Sequence, residues 1–180
     1  MPVVIGARPE SSFADPIGLL TDCHRRIERF LSVLAQATQY ESLTEGQRTS
    51  LETALQYFRE AAPKHTADEE ETLFPRLRAL ERAEVKAALA KIDSLESEHA
   101  RADAMHAEVD RIGQAWLASG TLGPDDRARL AALVGELGEL YRGHIAVEEQ
   151  EVFPMAAVLA VPERRAMGGE MAARRGLREG

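Results

Sequence analysis

One eleven-residue string is written twice in this chain, and no other feature constrains the fold as much. His65-Thr66-Ala67-Asp68-Glu69-Glu70-Glu71-Thr72-Leu73-Phe74-Pro75 returns 79 residues later as His144-Ile145-Ala146-Val147-Glu148-Glu149-Gln150-Glu151-Val152-Phe153-Pro154. Both read H-x-A-x-E-E-x-x-[LV]-F-P. Residues four apart share one face of an α-helix. His65 with Glu69, and His144 with Glu148, therefore set an imidazole beside a carboxylate, which is a metal-ligand pair. Phe and Pro close each copy with an apolar anchor and then a helix break or kink. Two copies predict one site shared by two helices.

The rest of the chain predicts the helices that such a site needs. Asp15-Pro16 is a helix start, and an apolar line of Ile17, Leu20, Ile27, Leu31 and Leu34 runs over about 16–38, with His24 in its gap. Thr44 to Gln47 is a capping-box pattern that opens a second helix through Leu51, Leu55, Phe58 and Ala62 to His65 and Glu69. Pro63 predicts a kink just before His65, and Pro75 a broken last turn or a small separate helix. From about 84 to 119 a third helix carries Ala88, Ile92, Leu95, His99, Ala102, Val109 and Trp116 on one stripe, with Asp103 one turn beyond His99 and His106 one heptad beyond it. The fourth, from about 124 to Pro154, places Leu130, Leu133, Leu137, Tyr141, His144, Glu148 and Val152 in line.

Residues 1–14 read as an N-terminal arm, 15–160 as the bundle, and 161–180 as a short helix and tail whose arginines form a solvated face. Leu20-x-x-x-His24-x-Arg26-x-Glu28 matches Leu95-x-x-x-His99-x-Arg101-x-Asp103 at an offset of 75, so the two halves repeat. The predicted fold is all-α: an antiparallel up-down-up-down four-helix bundle with pseudo-twofold symmetry and a short C-terminal helix. That helix could cover its own bundle or pack on a neighbour, leaving monomer and homodimer both open.

Composition narrows the partners. A 180-residue chain that is 44% hydrophobic but 5% aromatic suits helices packed by aliphatic side chains. Its net charge of −8 leaves no basic surface for phosphates, which argues against nucleic acid. No window approaches the ~18 uncharged apolar residues of a membrane span. The lone Cys23, and the lack of an apolar run between Met1 and Asp15, predict a soluble cytoplasmic protein. Cys23 itself points away from the His24 face and reads as packing or surface.

Six ligand types fall inside apolar stripes: His24, His65, His99, His144, Glu69 and Glu148. Burying them unpaired would cost several kcal/mol each, so a shared cation is the economical explanation. Imidazole suits zinc, copper, nickel and iron, while carboxylates favour harder ions such as iron and manganese. The simplest geometry gives one ion to His24 and His65, a second to His99 and His144, and bridging roles to Glu69 and Glu148. Open positions would remain for water, dioxygen or peroxide. Glu70 and Glu149 fall toward solvent on the helical period, although rotation at Pro63 would bring Glu70 to a ligand place. Asp103 is divided between ligand, outer acceptor and flank residue. His106 is too far along the helix to share an ion with His99, and Tyr141 divides between core packing and a hydrogen bond to a bound species.

This order of residues resembles the hemerythrin-like, or HHE cation-binding, domain: His24 on helix 1, His65-x-x-x-Glu69 on helix 2, Glu98-His99 on helix 3 and His144-x-x-x-Glu148 on helix 4. The resemblance covers roughly residues 15–160. It implies a non-haem, carboxylate-bridged di-iron centre that binds oxygen, nitric oxide or peroxide, or a protein that handles or senses iron. Oxygen-carrying members have a second His one turn after the first on helix 3, where this chain has Asp103. A peroxide-decomposing enzyme on the same centre is the alternative. A zinc- or manganese-stabilised bundle acting through protein partners is the third reading.

Overall fold

The computed structural model describes residues 11–80 and 83–177, and every regular element in them is helical. Most of the predicted arm, residues 1–10, lies outside the described residues. Helix α1 is Pro16–Ala37, capped by the Asp15 carboxylate accepting from the Gly18 amide at 3.1 Å. Helix α2 (45–78) opens with the expected Thr44–Gln47 capping box. Helix α3 is Ala83–Ser119. Gly120, at φ 77°, takes the left-handed turn that ends it. Helix α4 (124–158) starts at Pro124, and a fifth helix, α5, is Val161–Arg174.

Ion pairs fix the sense of packing. Arg59 meets Asp110 and Arg78 meets Glu96, so α3 runs back along α2; Glu98 to His144 and Glu108 to Arg129 do the same for α3 and α4. Arg25 to Glu149 and Glu41 to Arg127 set α4 against α1 in the same way. These three helix pairs, α2–α3, α3–α4 and α1–α4, are thus antiparallel.

The expected kink at Pro63 takes a different form. Proline offers no N–H and its ring excludes the carbonyl four residues back, so the amide just before it reaches five residues back instead. Ala62 bonds the Tyr57 carbonyl, and a π-helical turn spans Tyr57–Ala61. The same event occurs before each Phe-Pro. Phe74 reaches Glu69 across the π turn Asp68–Leu73, and Phe153 reaches Glu148 across Glu148–Val152. Neither Pro75 nor Pro154 breaks its helix, which continues as Phe74–Arg78 in one case and as a 3-10 stretch, Phe153–Val158, in the other. Widening the turn by one residue keeps the ladder bonded where α geometry would have lost it.

Two apolar cores flank a polar belt. One joins Ile27, Leu34, Leu55, Ile112, Trp116 and Leu137; the other joins Leu20, Phe74, Ile92, Leu95, Phe153 and Met167. On α1 the belt residue is His24, one turn after Leu20 and one before Ile27. Helix α5 closes the second core over its own bundle, burying Met167 and Met171 and bringing Gly168 so near the Phe13 carbonyl that no side chain fits between. The arginines at its end are not a solvated face: Arg174 and Arg175 both pair with the fully buried Asp68, and Arg174 also with Glu71.

Candidate metal centre

All six predicted ligand types converge in the belt between the two cores. Their exposure ranges from 0% to 6%, so water does not satisfy their polar atoms. The inward imidazole atom is Nε2 in each case with a carboxylate beside it. His24 Nε2 lies 3.1 Å from Glu148 and 3.7 Å from Glu69, His65 Nε2 3.3 Å from Glu69, His99 Nε2 3.4 Å from Glu69, and His144 Nε2 3.2 Å from Glu148. The four residues His24, His65, Glu69 and Glu148 form one set whose donor atoms lie within 4.8 Å of one another, and Glu69, His99, His144 and Glu148 form a second. The two sets share both carboxylates.

These contacts are electrostatic, not aligned hydrogen bonds. Both oxygens of Glu69, both of Glu148, and the Nε2 atoms of His24 and His144 are buried without a hydrogen-bond partner among the described residues. Leaving such atoms unmatched is costly. A cation accepting electron pairs from all of them removes that cost, so the donor set fits a metal ion.

Outside the belt, three imidazoles are oriented by carboxylates on their Nδ1 atoms. Glu149 holds His24 at 2.9 Å, Glu70 holds His99 at 2.8 Å, and Glu98 holds His144 at 2.9 Å. Arg25 in turn grips both oxygens of Glu149, at 2.9 and 2.7 Å. A carboxylate on one ring nitrogen fixes the tautomer that frees the other for a metal.

Charge in the cation-free belt is set by burial against ion pairing. Burial pulls the His24 imidazolium down, but Glu148 and Glu69 overrule it and raise its pKa to about 10. Against the same burial penalty, Glu69 and then Glu70 raise His99 to about 9. His144 is also raised, burial being outweighed by Glu148. His65 goes the other way, lowered by burial despite Glu69. Burial alone would raise Glu69, yet the surrounding imidazoles, His65 first, hold it well below the ordinary carboxylate range. Protons and a metal ion therefore compete for the same atoms.

The remaining candidates take outer places. Glu70 is not in either inner set and meets His99 from outside. Asp103 is exposed and lines a cavity of about 370 Å³ between α2 and α3 together with Phe58, Pro63 and His106. His106 stacks on Phe58 at 4.2 Å and its Nε2 meets the Tyr141 hydroxyl at 3.1 Å; burial lowers its pKa to about 4, so it is neutral. The Tyr141 ring stands edge-on to His144, 6.3 Å between centroids. A larger groove of about 880 Å³ between α3 and α4 has Glu98 and His144 in its lining.

Sequence reasoning missed Glu149 and Glu98 as orienting groups. Glu149 had a signal, because Glu70 and Glu149 are both retained at the 79-residue offset. Glu98 had none in the repeat, since Cys23 stands at the matching place.

Comparison with known proteins agrees with this geometry. A Haemophilus influenzae protein described as uncharacterized is 35% identical over 95 residues, 49% of this chain and 51% of its own length, so the match spans about half of that relative. Residues 15–156 match the Hemerythrin HHE cation binding domain, a stretch that begins at the α1 cap and ends within the 3-10 turn after Pro154. The chain belongs to the hemerythrin HHE cation-binding family.

Proposed function

We propose that the belt holds two iron ions per chain, one on His24 and His65 and one on His99 and His144, bridged by Glu69 and Glu148, and that it binds dioxygen or a related small molecule there. One observation carries the reading: two four-residue donor sets overlap in two fully buried carboxylates whose oxygens have no hydrogen-bond partner among the described residues. Iron would supply reversible binding or redox chemistry toward oxygen, nitric oxide or peroxide. The chain's own part is to orient His24, His99 and His144 through Glu149, Glu70 and Glu98, and to exclude bulk water with an apolar core on each side. Four protein donors per ion leave sites for a small ligand, and the α3–α4 groove that reaches His144 gives it an approach. Handling or sensing of iron uses the same donors and is part of this reading.

Peroxide breakdown is the second reading, favoured by the His106–Tyr141 pair beside His144. A tyrosine hydroxyl bonded to a neutral imidazole can pass a proton toward the belt and recover it. The test is metal analysis of protein purified from iron-supplied cells. About two irons per chain support the proposal, after which peroxide turnover in wild type but not Tyr141→Phe selects the second reading. Stoichiometric zinc in a colourless protein overturns both in favour of a structural bundle.

A further inference from the structure

The outer carboxylates do not complete the pseudo-twofold pattern. Glu70 on α2 reaches His99 on α3, and its repeat partner Glu149 on α4 reaches His24 on α1, so this contact obeys the symmetry. Glu98 on α3 reaches His144 on α4. The symmetric contact would run from position 23 on α1 to His65 on α2, because His24 and His99 are related by the offset of 75 and His65 and His144 by 79. Position 23 is a cysteine, buried, with its sulfur 3.4 Å from an Arg26 guanidinium nitrogen. His65 Nδ1 is buried and has no hydrogen-bond partner among the described residues.

We propose that the two metal positions are consequently unequal: the ion on His24 and His65 is exchangeable, and the ion on His99 and His144 is resident. The inference rests on the two-ion reading above. In the resident half both imidazoles are held by carboxylates, which fix the rings and raise their basicity as ligands. In the exchangeable half only His24 is so held. Among the described residues no carboxylate holds His65 on its Nδ1 atom, and loss of such an outer partner typically weakens metal binding by about 10–100-fold. A protein built this way could deliver or accept one ferrous ion while the second keeps the bundle assembled.

Release kinetics separate the possibilities. Anaerobic protein carrying two ferrous ions per chain is mixed with excess of a coloured ferrous chelator, and the absorbance is tracked over time. Two phases of equal amplitude are expected, at least about tenfold apart in rate. Glu98→Ala should accelerate the slow phase by about tenfold or more and leave the fast one unchanged, since only His144 loses its partner. Glu149→Ala should accelerate the fast phase alone. Both substitutions fall on partly exposed glutamates, and circular dichroism confirms that each variant is folded. Two bound ions leaving in a single phase, or Glu98→Ala acting on the fast phase, overturn the inference while leaving the two-ion reading intact. Fewer than two ions at saturation overturn the two-ion reading, and this inference with it.

Discussion

At the scale of single residues, identity and spacing carried a great deal. The pairs His65/Glu69 and His144/Glu148 that i,i+4 spacing singles out, and His24 and His99 in the apolar lines of their helices, are the side chains that meet in the belt. Their outer partners were harder to read, because a glutamate one step from a ligand points about 100° away on an ideal helix and only the neighbouring helix reveals what it reaches. Shared and terminal groups should behave differently on removal. Glu69→Ala is expected to lower metal content at both positions and His144→Ala chiefly at one, with metal analysis per chain as the readout. In cation-free protein the raised values of His24 and His99 have a further consequence. Their contribution to stability is complete below the ordinary histidine value of 6.5 and is lost as pH rises through about 9 and 10. His65 and Glu69, both lowered, contribute in the opposite sense, present above their ordinary values and lost as pH falls. The cation-free melting temperature should therefore decline on the alkaline side of pH 6.5, whereas metal-loaded protein, whose ligands must be deprotonated, should hold or gain over the same range. Parallel melting curves for the two forms would refute this assignment of charge.

At the scale of elements, the starts and stops were legible and the interior of the helices was not. Asp15-Pro16, the Thr44 box and Pro124 mark the ends where expected, since caps are local chemistry. A proline inside a helix breaks it or not according to whether the ladder can widen, and in both copies of the motif the phenylalanine that ends the widened turn packs into the second core. The later two π turns, Asp68–Leu73 and Glu148–Val152, lie in the two copies of the motif, so the shared carboxylates Glu69 and Glu148 sit where α geometry gives way. The docking of α5 is open in the sequence because nothing local distinguishes its partner, Asp68, from the three glutamates that follow it. Asp68→Ala would strand Arg174 and Arg175, but their side chains, 20% and 25% exposed, can turn to water. The expected cost is thus about 1–2 kcal/mol, below the roughly 3–5 for a fully buried broken pair. For a chain of this size that lowers the melting temperature by about 2–4 °C per kcal/mol. No change in melting would show that the clasp does not hold α5.

At the scale of the whole molecule, the belt makes the bundle depend on what fills it. Apolar burial stabilises both ends, with Trp116 in one core and Phe74 in the other, yet the middle layer consists of buried groups that repel or strand one another unless protons or a cation match them. This dependence arises from arrangement across four helices, so no single stretch of sequence displays it. The repeat hinted at it only by writing the same pair twice. Ligand binding to the native state alone stabilises by RT ln(1 + [L]/Kd), about 2.7 kcal/mol at a hundredfold excess over Kd for one site. Stripping the metal with a chelator should accordingly lower the melting temperature by about 5–11 °C at that saturation, and re-adding ferrous ion should restore it. The same treatment of Glu69→Ala should shift melting little, because the lost carboxylate served both positions. A wild-type melting temperature indifferent to chelator would mean that protons alone balance the belt, and that the buried carboxylates are structural.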